Sequence, residues 1–179
     1  MGWYCLLHLG ELVSPDDLCL QDYRKAIQHC SVKLASDPCP HASFFLPMHK
    51  ADHLWDGSSI VLEQCLGPLD PLPIFKNYLK SRDALFPHVP DLWLTKAGKI
   101  PMWSWFITRL HTFFPSDNVT GHSLCASSAT TLALAGTPLD CIQMISRWSS
   151  QAFLIYLCQN PILLQSSISG WSAFNCPCT

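Results

Sequence analysis

The chain has 179 residues, of which 49% are hydrophobic and only 13% are charged, a composition typical of a folded globular domain and not of a disordered chain. No apolar run reaches the roughly 20 residues of a membrane-spanning helix, and the opening segment MGWYCLLHLGEL lacks the basic residues of a secretion signal. The net charge of −2 offers no basic face, so charge alone disfavours nucleic-acid binding.

The first half of the chain predicts one helix and a small sheet. An apolar helix is expected over residues 3–13, because the following Ser14-Pro15 pair stops helix propagation. A strand is expected over residues 31–34. The segment FFLPMHKADHLWDGSSIVLEQC has two apolar runs around Asp56-Gly57, which predicts a β-hairpin with Lys50 near its turn.

The second half of the chain is predicted to be mainly helical. Residues 72–84 form a helical pattern with Leu72, Phe75 and Leu79 on one face, and DLWLTKAGKIP (residues 91–101) predicts a short strand. Pro and Gly punctuate four more predicted helices, over residues 103–114, 121–135, 138–146 and 149–158. The expected fold class is therefore α+β, mainly α-helical, with a small antiparallel β-sheet.

Two functional interpretations of the segment around Gly121-His122-Ser123 are weak. A hydrolase would use Ser123 on a Gly-x-Ser-x-Gly turn, which needs an apolar strand before it and a second glycine after it. The preceding residues are FFPSDNVT and the closing residue is Cys125, so neither requirement is met.

A zinc site is disfavoured as well. Structural zinc needs four ligands, normally as two closely spaced pairs, and the sequence contains no Cys-x-x-Cys. Small buried thiols and hydrogen-bonded histidines explain these residues better, and we expect no metal and no cofactor. The candidate ligands are Cys39, His41, His122, Cys125, Cys176 and Cys178.

A third interpretation rests on the C-terminal half as a whole. GHSLCASSATTLALAGTPLDCIQMISRWSSQAFLIYL resembles the catalytic domain of tyrosine recombinases (phage-integrase-like), in the form found in fungal mobile elements. Upstream, LLHLGEL resembles the family's helix with the first catalytic arginine and a glutamate, and FLPMHKADHLWDG resembles the hairpin with the catalytic lysine. The matching residues are His122, Gly136-Thr137-Pro138, Arg147-Trp148-Ser149-Ser150, Lys50 and Tyr156, the last lying eight residues after Trp148.

The resemblance implies a recombinase-like, integrase-like catalytic domain over residues 1–164, without the family's separate N-terminal DNA-clamping domain and first helix, and a disordered tail over 165–179. In that family the tyrosine, here Tyr156, attacks a DNA phosphodiester, and the lysine, here Lys50, protonates the leaving oxygen. Two arginines hold the phosphate, and His122 and Trp148 assist. In isolation, Tyr156 would be interpreted as a buried aromatic residue of an apolar helix.

The chain departs from the family at both arginine positions, where His8 and Cys125 stand, and Ser146 replaces the glycine before Arg147-Trp148. Guanidinium donates two parallel hydrogen bonds to phosphate and is permanently charged, which a thiol cannot reproduce. Each lost transition-state donor costs about 10²- to 10³-fold in rate. We therefore expect a domain for DNA integration or recombination that is catalytically inactive. The alternative is a non-catalytic DNA-binding or interaction module on the same fold.

Composition agrees with decay of such a gene. The chain has four arginines, whereas Cys, His and Trp together number 25. Cytosine deamination converts arginine codons into Cys, Trp, His or Gln codons, so this imbalance favours a degenerate mobile-element copy. The expected partners are DNA, bound weakly, and a homo-oligomer on DNA, with no membrane and no small-molecule ligand. The expected location is nuclear in a eukaryote and otherwise cytoplasmic.

Overall fold

The computed structural model describes residues 2–36, 38–49, 52, 54, 56–65, 70–115 and 119–148. These residues contain five α-helices, three short 3-10 turns and one three-stranded antiparallel sheet. The helices are α1 (Leu9–Leu12), α2 (Pro71–Leu85), α3 (Trp103–Phe113), α4 (Gly121–Leu134) and α5 (Leu139–Ser146). The strands are β1 (Lys33–Ala35), β2 (His41–Leu46) and β3 (Ser58–Glu63), and the 3-10 turns are Leu18–Leu20, Tyr23–Lys25 and His29–Ser31. The mixed α and β class is confirmed.

The sheet has the order β1-β2-β3, with β2 in the centre. Ala42, Phe44 and Leu46 alternate along β2 and are buried, as expected for a sheet with one face against the core. The predicted hairpin is confirmed, because β2 and β3 pair antiparallel with Phe44 opposite Ile60. Gly57, just before β3, has φ 67°, and a Cβ there would lie 2.3 Å from the Phe45 ring, so this position requires glycine.

Helix α2 packs on the sheet and confirms the prediction for residues 72–84. Asp70 caps it by accepting a 3.0 Å hydrogen bond from the Leu72 backbone N–H, and Pro71 occupies the first turn, where no N–H partner is needed. Phe75 is fully buried, with its ring centroid 6.0 Å from Phe44 and 5.7 Å from Trp93. These rings form the centre of the larger hydrophobic core.

Two predicted elements are wrong. The expected helix over residues 3–13 is reduced to Leu9–Leu12, because Leu6 has φ 44°, outside the range of a right-handed helix. The expected strand within residues 91–101 is a loop, with a single bridge between Asp91 and Gln28 and a turn closed by the Gly98 N–H and the Thr95 carbonyl at 3.0 Å. Its apolar residues satisfied the strand pattern because they pack in the core.

The expected strand over 31–34 lies at Lys33–Ala35, and the predicted helices over 103–114, 121–135 and 138–146 are confirmed with small shifts of their ends. Gly136, between α4 and α5, has φ 88° and gives the chain the turn that joins them. The predicted helix over 149–158 and the expected tail over 165–179 lie outside the described residues. None of the helices described here is long and apolar enough to cross a lipid bilayer.

Candidate functional site

The candidate site lies where the N-terminal turn packs against α4 and α5. Leu6, Cys125, Ala129 and Ile142 form a second buried cluster, separate from the main core, and Trp148 packs against it. The small residues of α4 allow this close approach, because a Cβ added at Gly121 would lie 2.3 Å from a methyl group of Leu9.

The Leu6 carbonyl is the shared acceptor of this region. The Cys125 thiol donates to it with a sulfur–oxygen distance of 3.9 Å, and Arg147 Nη2 donates to it at 3.2 Å. Leu6 is fully buried and has positive φ, a backbone conformation that costs a non-glycine residue energy. The two donors, from α4 and from the end of α5, therefore hold a turn that the isolated segment would not adopt.

His8 and Trp148 form a direct pair across the site. The Trp148 indole N–H donates to His8 Nε2 at 3.2 Å, and the two ring centroids are 6.4 Å apart. An indole nitrogen can only donate, so His8 Nε2 accepts and carries no proton in this arrangement. The imidazole thus takes the form with its proton on Nδ1, and it offers no donor from Nε2 to an anion while this bond persists.

Glu11 and Arg147 form an ion pair beside His8. Arg147 Nη2 lies 3.1 Å from Glu11 Oε2, and the two side chains are 10% and 6% exposed, respectively. The same carboxylate oxygen accepts a 2.9 Å hydrogen bond from the His8 backbone N–H. Burial raises the pKa of Glu11, and the charge of Arg147 and the His8 N–H oppose this rise.

The sequence Ser146-Arg147 fixes the end of α5. Arg147 takes the left-handed conformation with φ 59°, its N–H donates to the Met144 carbonyl at 3.1 Å, and the Trp148 N–H donates to the Gln143 carbonyl at 3.2 Å. Helices often end at such a residue, usually a glycine. Ser146 is fully buried and its hydroxyl donates to the Ile142 carbonyl. This end turns Arg147 and Trp148 back toward the N-terminal turn.

Cys125 is an inert thiol in this setting. Its side chain is 1% exposed, and burial, helped by the nearby negative charge of Glu11, raises its pKa to about 11, while Arg147 acts in the opposite direction. Thiolate is the form that attacks carbon or binds metal. At neutral pH Cys125 is therefore almost entirely in the neutral thiol form.

Three of the six predicted site residues lie together, namely His8, Cys125 and Trp148. His122 lies in the first turn of α4, one turn before Cys125, and its side chain is exposed. Lys50 and Tyr156 lie outside the described residues. The neighbour of Lys50, His49, is close enough to Glu11 to lower the pKa of that carboxyl when protonated.

Sequence reasoning overlooked Glu11 and Arg147 as members of the site. Both were part of the motifs that carried the resemblance, but neither was expected to contact His8, the Leu6 carbonyl or each other. A signal was present in the sequence, because only 13% of the residues are charged and Glu11 and Arg147 lie in otherwise apolar segments. Charged side chains in such segments are expected to be buried, and buried charges need partners.

The two weaker interpretations also have a structural outcome. Ser123 caps α4, because its hydroxyl accepts a 3.0 Å hydrogen bond from the Thr120 N–H, and Val119 and Thr120 before it are not in a strand, so the nucleophile turn is not formed. Within the described part of the chain, no group of three or more His, Cys, Asp or Glu side chains could hold a metal ion.

Comparisons of the chain with protein-family models, with curated proteins and with solved structures found no match.

Proposed function

We propose that this chain is a degenerate tyrosine-recombinase-like domain that binds DNA weakly and does not cleave it. The observation that carries the proposal is the hydrogen bond between His8 and Trp148, which are separated by 140 residues, with Cys125 against the adjacent Leu6 carbonyl. The resemblance assigns these three residues to one site. An accidental similarity of short motifs gives no reason for them to meet.

The electrostatics of the site support the loss of catalysis. Phosphoryl transfer needs donors directed at the charge that develops on the phosphate oxygens. At the two positions where the family has arginine, Cys125 is a buried neutral thiol and His8 accepts a hydrogen bond through Nε2. The guanidinium that is present, on Arg147, is neutralised by Glu11. A phosphate entering this site would meet no uncompensated positive charge from these residues.

The alternative is a non-catalytic DNA-binding or interaction module on the same fold. The mutual hydrogen bonding of the site favours it, because Arg147 bonds Glu11 and the Leu6 carbonyl, and Glu11 accepts from the His8 N–H. Such a site serves the packing of the N-terminal turn on α4 and α5. Specific DNA binding that is unchanged when the site is disrupted would distinguish this module from a decayed enzyme.

The test is covalent trapping on a suicide DNA substrate at low ionic strength, where the few phosphate contacts of a weakly charged chain are strongest. The wild-type chain should form no adduct. The double variant His8→Arg/Cys125→Arg should form a detectable adduct, because it restores two bidentate phosphate ligands, and adding Tyr156→Phe should abolish it.

Matched variants keep this test interpretable. His8→Lys/Cys125→Lys restores the charge without the planar fork and should give at least about tenfold less adduct than the arginine pair. Because Cys125 is buried, circular dichroism must first show that each variant is folded. His8→Arg alone, at a half-buried position, provides a milder second test. Adduct formation by the wild-type chain would contradict the proposal, as would an adduct that survives Tyr156→Phe.

A further inference from the structure

We propose that Cys39 and Cys65 form a reversible disulfide within one chain, across the open end of the β2–β3 hairpin, by exchange with a disulfide oxidant such as glutathione disulfide. The open end is where β2 begins at His41 and β3 ends at Glu63. Both cysteines are exposed free thiols. The proposal goes beyond the proposed function and does not depend on it, because neither cysteine belongs to the candidate site.

The register of the two strands places the cysteines opposite each other. The antiparallel pairing of β2 and β3 continues one residue beyond the strands, because the Gln64 backbone N–H donates to the Pro40 carbonyl at 3.2 Å. One further step along both chains reaches Cys39 and Cys65. No other two cysteines among the described residues occupy opposed positions of this sheet.

This pair falls where an antiparallel ladder brings its strands closest. Because Pro40 and Gln64 share a ladder hydrogen bond, the next pair is of the non-hydrogen-bonded kind, whose Cα atoms lie about 4.5 Å apart in a regular sheet. A disulfide spans Cα–Cα distances of roughly 4.4–6.8 Å. The Cys65 N–H donates to the Asp70 carboxylate at 3.3 Å and not to Cys39, as such a pair requires.

Both side chains belong to the solvent-facing side of the sheet. Residues two apart along a strand share a face, so Cys39 follows His41 and Cys65 follows Glu63, and neither of these neighbours is buried. The backbone bends at Cys39, outside β2. Adjusting that bend to bring the two sulfurs together therefore breaks no ladder hydrogen bond and leaves the core intact.

The chemistry is thiol–disulfide exchange in two steps. One cysteine thiolate attacks a sulfur of glutathione disulfide, which breaks that S–S bond, forms a mixed disulfide and releases a glutathione thiolate. The second cysteine thiolate attacks the protein sulfur of the mixed disulfide, forms the Cys39–Cys65 bond and releases the other glutathione thiolate. The protein loses two electrons and two protons, and glutathione disulfide takes up both to become two glutathione molecules. Excess reduced glutathione reverses the same steps.

The bond would join the two segments that leave the hairpin. Cys39 follows the connection from β1, and Cys65 precedes Asp70, whose carboxylate also caps α2 through the Leu72 N–H. The bond closes residues 39–65 into a ring, which restricts the unfolded chain. We therefore expect the oxidised protein to unfold at a higher urea concentration than the reduced protein.

Mass spectrometry of the full chain tests the pair directly. Folded protein is treated with glutathione disulfide, its remaining thiols are blocked with N-ethylmaleimide, and it is digested with trypsin without reduction. Cleavage after lysine leaves Cys39 alone in peptide 34–50 and Cys65 alone in peptide 51–76. These two peptides should be joined, at least about tenfold more often than either is joined to the peptide of Cys30, because proximity favours the second step. Dithiothreitol should separate them.

Isotope mixing shows whether the bond lies within one chain. In an equal mixture of ¹⁴N- and ¹⁵N-labelled protein, the joined peptides should be wholly light or wholly heavy. The matched variants are Cys39→Ser, which should abolish the effect of glutathione disulfide on the urea midpoint, and Cys30→Ser, at another exposed cysteine, which should keep it.

The digest of the wild-type chain needs no variant, so it decides the question even if a serine variant fails to fold. The proposal is overturned if the folded wild type gives no joined peptide, if Cys30 is joined as often, or if the joined peptides mix light and heavy chains. An unchanged response of Cys39→Ser to glutathione disulfide would also contradict it.

Discussion

The buried ion pair between Glu11 and Arg147 gives the sharpest test of the site. Glu11→Gln removes the carboxylate charge with almost no change in shape and leaves the Arg147 guanidinium, 10% exposed, without a counter-charge. Removing one partner of a buried pair costs about 3–5 kcal/mol. The Leu6 carbonyl remains as an acceptor for Arg147 Nη2 at 3.2 Å, and burial already disfavours the charged form of Glu11 in the folded chain. We therefore expect Glu11→Gln to cost less than this range, about 1 kcal/mol or below. Arg147→Met leaves the carboxylate without its counter-charge and should cost about 3 kcal/mol.

Removing both partners should be far less damaging than removing Arg147 alone. In the double variant Glu11→Leu/Arg147→Met no buried charge remains, and replacing a buried pair by apolar side chains of similar size is often neutral or stabilising by about 1–4 kcal/mol. The free energy of unfolding, measured in urea for the wild type, Glu11→Leu, Arg147→Met and the double variant, gives the coupling energy. A coupling below about 0.5 kcal/mol would refute a buried pair, since solvated pairs give values of that size.

The same residue predicts a pH dependence. Burial raises the pKa of Glu11 in the folded chain above its ordinary value of 4.5. At pH values above 4.5 and below the raised pKa of the folded chain, Glu11 has lost its proton in the unfolded chain but keeps it in the folded chain. The free energy of unfolding should therefore fall as pH rises through this window. Glu11→Gln should flatten this slope. A wild-type slope identical to that of Glu11→Gln would mean that Glu11 titrates normally.

Two further predictions concern single side chains. Alkylation of Cys125 by iodoacetamide at pH 8, followed by peptide mass spectrometry, should be about 100-fold slower than that of exposed Cys141, because its pKa rises from 9.0 to about 11 with burial; equal rates would contradict a buried thiol. Tyr78→Phe should cost about 2 kcal/mol of unfolding free energy, because the Tyr78 hydroxyl donates to the Leu92 carbonyl and accepts from the Leu94 N–H, each at 2.8 Å. The control is Tyr23→Phe, at an 85% exposed position, which should be neutral in the same urea titration.

The elements that the sequence predicted well are those whose signals are local. Helix α2 has an Asp70 cap, a proline in its first turn and apolar residues three and four apart, and the hairpin has Asp56-Gly57 before β3, where Gly57 takes positive φ. The predictions that failed depend on distant partners. Leu6 leaves the helical conformation where Cys125 and Arg147 bond its carbonyl, more than a hundred residues away in sequence.

In the candidate site, too, the membership of some residues could be predicted from the sequence, whereas their contacts could not. The resemblance of motifs placed His8, Cys125 and Trp148 in one site before any geometry was known. The partner of each side chain could not be predicted, because hydrogen bonds such as Trp148 Nε1 to His8 Nε2 depend on ring orientations that no residue spacing specifies.

The shared acceptor at Leu6 also has a consequence for folding during translation. The donors to its carbonyl, Cys125 and Arg147, follow it by 119 and 141 residues. At a ribosomal rate of about 5–20 residues per second, the N-terminal turn waits roughly 7–28 s before its last donor is synthesised. During that interval the apolar segment CLLHL has no partner from α4 or α5, although Cys5 and Leu7 can already pack in the main core. The hairpin and α2 can form first from contacts close in sequence, so the candidate site is the last part of the described structure to assemble.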